Sequence, residues 1–224
     1  MTCFPRLAVA TLLLSLGLVL TGMPSAQAAS SEYALDPVHT RVMIAVGHAG
    51  FSNALGTVSG SSGQLRFDPQ DWTTAQLEVE VPLQHLDFGD EKWNQAVLAG
   101  NLLDTEKFPT AHFISTRIEP IDPQHASVYG TLTLHGVSRE VKLDVTLNAL
   151  KRHPLPPFRR TAGFSATAAI SRAEFGIDAW KSVIGDRVEL RLEVEATRMR
   201  NDGSEDDNDE DHATPTPTTE PTTP

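Results

Sequence analysis

The chain has 224 residues, 40% of them hydrophobic, and 18 Lys and Arg against 29 Asp and Glu give a formal net charge of −11 at pH 7. That balance is uneven: residues 201–224 hold eight acids and no Lys or Arg, whereas 29–200 hold 17 basic and 21 acidic residues, a mild −4 with no basic stripe. Nucleic-acid binding is therefore not expected, and a single cysteine, Cys3, excludes an internal disulfide framework.

In chain order, Arg6 precedes an apolar run from Leu7 to Leu20, followed by Gly22, Pro24 and Ala26-Gln27-Ala28. A basic start, a short apolar stretch and an A-x-A site predict a secretory signal peptide over 1–28, cleaved before Ala29. The run is shorter than the roughly 20 residues of a membrane span. The expected location is the bacterial periplasm. Cys3 would leave with the peptide, so the mature chain has no thiol to use as nucleophile or metal ligand.

Residues 29–200 are long enough for one domain with a sizeable core. Their pattern is mostly period two. Val42, Ile44 and Val46 share one side of a strand from Arg41; Leu77, Val79 and Val81 alternate with Gln76, Glu78 and Glu80. Further strands are expected over Gln64–Phe67, Ala111–Ile118, Gly163–Ile170 and Val188–Ala196. Between them, Val128 to Leu147 reads as a hairpin: Val128, Gly130, Leu132 and Leu134 on one face, then Val141, Leu143, Val145 and Leu147. Pairing Leu134 with Val141 across a loop Gly136–Arg139 aligns the two apolar rows. The face below this hairpin must be covered, either by protein or by a ligand. Strands wet on one side predict an all-β fold, a single antiparallel barrel of about eight strands.

One segment departs from this period. Trp93, Ala96, Val97 and Gly100 follow helical spacing, with Asp90 as N-cap and Gly100 as stop, so a short amphipathic helix is expected on the barrel or over its mouth. Ser59 to Gly63 reads as a flexible bend. Lys151 to Arg160, with Leu155 and Phe158 inside it, is the basic cluster: either an ordinary hairpin loop or a transient contact with anionic lipid. The end, 201–224, has no large aliphatic or aromatic residue and is expected to be disordered.

The residues resemble the YceI-like family of secreted polyisoprenoid-binding proteins, whose fold is a lipocalin-like barrel. The matching pieces are Tyr33-Ala34-Leu35-Asp36 with Pro37 and His39; His48 and Gly50; Gly63 to Asp68; Leu103-Asp104-Thr105 with Lys107-Phe108-Pro109 and Phe113; Gly130 to Val137; and Ser171 to Gly176. The resemblance implies a binding protein that sequesters or carries a long-chain isoprenoid lipid, a prenyl diphosphate or an isoprenoid quinone, in an apolar tunnel. The tunnel wall would comprise Val42, Ile44, Val46, Leu77, Val79, Val81, Phe113, Leu132, Val141, Leu143 and Phe164, with Trp93, Phe175 and Trp180 shaping its ends. His48, Asn101 and Arg172 would supply polar contacts, Arg172 alternatively serving as a structural ion-pair residue. Ala166, Ala168 and Gly130 would leave room inside. Where family members often carry a His-Leu-Arg run and an acid, this chain has Ala96-Val97-Leu98 and Asn101, which favours a neutral quinone head over a diphosphate.

Catalytic chemistry finds little support. There is no G-x-S-x-G elbow, and Glu78 and Glu80 share the wet face of one strand, so no acid–base pair emerges. The eight histidines form no HxH or HExxH motif. The expectation is a non-enzyme with no metal and no cofactor beyond a non-covalent lipid; a homodimer is compatible. Two rival readings are a stress or structural barrel filled by its own side chains, and a redox accessory handling quinone or heme.

Overall fold

Period-two alternation is carried through into eleven strands of one antiparallel sheet. The structure, a computed structural model, describes residues 30–200; the expected signal peptide and acidic tail lie outside the described residues. Among the described residues the strands are β1 (Ser31–Leu35), β2 (Arg41–His48), β3 (Ser52–Ser59), β4 (Ser62–Phe67), β5 (Gln76–Pro82), β6 (Leu86–Asp87), β7 (Thr110–Pro120), β8 (His125–Leu134), β9 (Val137–Arg152), β10 (Arg160–Ser171) and β11 (Ile184–Arg198), with one α-helix, α1 (Glu91–Leu98), and three short 3₁₀ turns.

Eight of them close a barrel in the order β1-β4-β5-β7-β8-β9-β10-β11, with β11 returning to β1. Closure leaves these strands without a free edge. β11 is long enough to serve two partners: Ala196 to Arg198 pair with β1, while Ile184 to Glu193 pair with β2. Between β1 and β2 the chain turns at Asp36–Thr40, held by Asp36 N–H to Glu195 O (2.8 Å) and Thr40 N–H to Asp36 O (2.9 Å). β3 and β6 continue outward from β2.

Register carries every apolar row to the same side. Phe113 faces Leu132, Val128 faces Leu143, and Phe164 lies between Leu147 and Val194. Leu190 faces Ile44 and Leu192 faces Val42. Side chains alternate across a strand, so these matches put all the rows inside.

The hairpin register differs from the expected one. Leu134 pairs with Val137, not Val141, across the two-residue turn His135-Gly136. Both turn residues have positive φ, 53° and 74°, as tight hairpins of matching twist require. His135 is held there by its ring against Phe108 (4.8 Å) and by Nδ1–H donating to Phe175 O (3.2 Å). The shift is even, so the apolar faces are unchanged. Another difference lies at Ser59–Gly63. The expected flexible bend is a tight corner, with Gly60 N–H bonded to Pro37 O (3.2 Å) and Ser61 only 1% exposed.

Helix α1 starts as expected: Asp90 Oδ1 accepts from Trp93 N–H at 3.0 Å. It ends at Leu98, before the expected stop at Gly100. The chain folds back so that Leu103 N–H reaches Val97 O and Thr105 N–H reaches Leu98 O (3.0 and 3.1 Å). These bonds satisfy terminal carbonyls that would otherwise be left to water, the task a glycine cap performs at other helix ends.

Candidate functional site

The inward rows do not meet. They enclose a cavity of about 720 Å³, within the range of ligand pockets, about 300–1,000 Å³. Its presence explains a pattern in burial: Ile44, Leu77, Val79, Leu132 and Leu190 point inward yet are only half-buried, because their inner surfaces face the cavity. The barrel is not filled by its own side chains.

One end is closed. Leu35, Leu65, Phe67, Trp72 and Phe164 form the floor, each no more than 9% exposed. Phe67, Trp72 and Phe164 meet edge to face, with ring centroids 5.1 to 6.3 Å apart, an arrangement aromatic quadrupoles favour. Every exposed wall residue lies at the other end: Trp93, Ala96, Ala99, Asn101, Trp180 and Val183. The mouth is thus framed by α1, the turn behind it, and the loop between β10 and β11.

The structure brings together nearly all the residues singled out from sequence. Val42, Ile44, Val46, Leu77, Val79, Val81, Phe113, Leu132, Val141, Leu143 and Phe164 are on the wall, and Trp93, Trp180, His48, Asn101 and Arg172 are at or near the mouth. Phe175 is the exception. It is 1% exposed inside a core cluster with Leu102, Phe113 and Ile177 and does not reach the cavity. It belongs to a 3₁₀ turn, Arg172–Phe175, which directs the ring into the protein beside the hairpin tip. Gly130 leaves no room either. A Cβ there would lie 2.3 Å from Phe113 Cζ and 2.6 Å from Ile114 O, so the Phe113 ring already occupies that space. Ala166 does line the cavity; Ala168 does not.

Polar groups on the wall are few: Thr40, Ser61, His48, Asn101 and Arg172, apart from indole N–H groups. Thr40 Oγ1–H is spent on Glu195 O (3.4 Å). His48 stacks obliquely on Trp93 at 5.4 Å. Arg172 is 6% exposed. Its Nε, Nη1 and Nη2 donate to Gly185 O, Ile177 O and Ile184 O at 2.9, 2.7 and 3.0 Å. The expected ion pair is replaced by three backbone carbonyls, and the guanidinium straps the loop at the mouth. Its charge is felt nearby. Asp186 is held below the usual carboxylate range first by a hydrogen bond from Ser171, then by the Ala173 amide, and further by Arg172.

Sequence reasoning missed the floor. Leu35, Leu65, Phe67 and Trp72 sit in short segments, and only the shared parity of Leu65 and Phe67 hinted at it. It also missed a group of possible ligating atoms outside the cavity: Asp36, His39 and Glu195 lie within 4.8 Å of one another. There His39 Nδ1–H donates to Asp36 Oδ2 at 2.8 Å, so the two satisfy each other.

A YceI-like domain profile matches residues 33–196, most of the chain. The chain belongs to the YceI-like family. It is 29% identical over 199 residues to a UPF0312 protein of Pseudomonas putida (strain W619), covering 88% of this chain and 97% of that one. Among solved structures, Burkholderia cenocepacia BcnA is similar with a TM-score of 0.65 at 24% identity, covering 73% of this chain and 99% of BcnA. A polyisoprenoid binding domain from Saccharophagus degradans implicated in plant cell wall breakdown gives 0.59 at 14% identity, covering 75% of this chain and 98% of that domain. At such identities the likeness is one of fold. In this YceI-like barrel, the motif Gly130 to Val137 is the hairpin tip and Ser171 to Gly176 is the turn carrying Arg172.

Proposed function

We propose that this protein is a carrier for a long-chain isoprenoid lipid, exported to the periplasm, that shields the prenyl chain from water inside the barrel. The observation that carries this reading is the apolar cavity of about 720 Å³ with one closed and one open end. A long chain fits a blind tunnel better than a compact polar metabolite does, since the wall offers so few hydrogen-bonding groups. The polyisoprenoid binding named for the Saccharophagus degradans domain supports the ligand class. Each buried CH₂ contributes about 0.8 kcal/mol, so about ten of them give a gross gain of about 8 kcal/mol, before the costs of association. Binding, not catalysis, is what such a wall supports.

A neutral head is favoured over a diphosphate. On the wall at the mouth Ala96, Ala99 and Asn101 bring no charge, the rim lysines Lys92 and Lys181 lie outside the wall, and three of the Arg172 donors are spent on carbonyls. An isoprenoid quinone fits this best. Export is supported by the run Leu7–Leu20 and Ala26-Gln27-Ala28, and a periplasmic fraction whose mature N-terminus lies near Ala29 is expected by mass spectrometry.

The test of the carrier reading is direct. Organic extraction of protein purified from its periplasm should release a prenyl lipid, and delipidated protein should take up ubiquinone from cyclodextrin. Recovery of no prenyl lipid together with no uptake would sink the reading, and a Soret band in the purified protein would replace it with heme handling.

A further inference from the structure

The mouth carries an apolar rim that a ligand inside the barrel leaves uncovered. Phe51, 93% exposed, tips the β2–β3 hairpin, and its N–H donates to the carbonyl of His48, a wall residue, at 3.0 Å. Trp180 (61%), Trp93 (43%) and Val183 (37%) are wall and outer surface at once. Ala49 N–H bonds to Val183 O (2.6 Å), and Trp93 leans on His48 (5.4 Å). The hairpin tip, α1 and the β10–β11 loop therefore present one continuous rim.

Each rim tryptophan has an exposed lysine as its chain neighbour, Lys92 before Trp93 and Lys181 after Trp180; the Lys181 ammonium is paired with Asp178 Oδ2 at 3.0 Å, so Lys92 is the cation that the rim offers to an anion. Indoles prefer the boundary between headgroups and acyl chains. Lysines beside them keep their stems on apolar surface while the ammonium reaches lipid phosphates. Aromatic and cationic groups together complement a phospholipid surface. A protein partner would have to cover the same hole that the ligand must pass through.

We propose that the mouth docks on the headgroup layer of a phospholipid bilayer, with Phe51, Trp93 and Trp180 inserted and Lys92 against lipid phosphates. This rests on the carrier reading, and it gives the prenyl chain a route from the acyl phase into the tunnel without crossing water. The basic loop Lys151–Arg160, the earlier candidate for lipid contact, is at the wrong end. β10 runs from Arg160 to Ser171, eleven steps of about 3.3 Å, and only its far end reaches the mouth.

Co-sedimentation with phosphatidylcholine–phosphatidylglycerol vesicles, and quenching by brominated acyl chains, test this. The full-length mature protein should bind the vesicles, with its tryptophan emission quenched. Phe51→Ser, which leaves the wall intact, should weaken vesicle binding by roughly tenfold or more while ubiquinone uptake from cyclodextrin stays as in wild type. Lys92→Glu should weaken binding further when phosphatidylglycerol is present. Absent vesicle binding, or wild-type binding by Phe51→Ser, overturns the proposal. So does loss of binding in Leu155→Ser/Phe158→Ser with Phe51→Ser unaffected. Docking with neither extractable prenyl lipid nor uptake from cyclodextrin would sink the carrier reading alone, and uptake without docking would sink this one alone.

Discussion

Two small residues on inward rows show how local volume decides outcome. Gly130 and Ala166 look alike in sequence, as gaps in apolar rows. At Gly130 the gap is taken by Phe113, and an added Cβ would meet both that ring and the backbone of Ile114. Gly130→Ala should therefore cost about 1–3 kcal/mol by overpacking, seen as a lower urea midpoint with an unchanged slope. Ala166 faces open cavity, so Ala166→Phe should enter free space. Its melting temperature should stay at or above that of wild type while ubiquinone uptake falls. A large loss of stability in Ala166→Phe would mean that the space beside it is already filled.

At the scale of elements, the mouth is assembled from pieces with little packing of their own. No residue of α1 is fully buried. It is held by the Asp90 cap and by the fold-back that satisfies its last carbonyls. The β10–β11 loop is held by Arg172, whose planar fork reaches Ile177, Ile184 and Gly185 together. Lysine has the charge but not the fork. Arg172→Lys should leave some of these carbonyls unsatisfied, destabilising the protein by about 2–3 kcal/mol. Faster hydrogen exchange should be concentrated at Ile177–Gly185, and the β8–β9 hairpin should be little affected. A uniform rise in exchange across the barrel would contradict the strap. The hairpin itself teaches a related lesson: period two reports which face is buried but is blind to a shift by an even number of residues. The turn chemistry of His135-Gly136 settled that shift.

For the whole molecule, charged pairs add a pH-dependent share to stability, and the Asp36–His39 pair shows its sign. Partial burial alone would raise the pKa of Asp36, but hydrogen bonds from the His39 ring and from the amides of Val38 and His39 outweigh it, leaving a net lowering from 3.8. His39 is raised from 6.5, chiefly by its hydrogen bond to Asp36 and then by the charges of Asp36 and Glu195. The Asp36 contribution is full above 3.8 and is lost as pH falls through its lowered value. That of His39 is full below 6.5 and is lost as pH rises through its raised value. This clasp between β1 and β2 is therefore strongest between those limits. The melting temperature of wild type should exceed that of His39→Gln at about pH 5, with the gap narrowing as pH rises beyond 6.5 and through the raised value, and shrinking in high salt. A gap independent of pH would show that His39 acts by packing alone.

Alternation along each strand, set by backbone geometry, made the antiparallel barrel and the inward rows legible from sequence, as cap chemistry made the start of α1 legible. Family motifs pointed to the same fold. What alternation cannot express is distance across the barrel. Whether Leu143 and Ile44 touch or stand apart depends on strand tilt and register summed around the whole closed sheet, a non-local quantity that no segment encodes alone. For that reason the cavity, its floor at Trp72, the inward turn of Phe175 and the placement of the basic loop away from the mouth were decided only by tertiary structure.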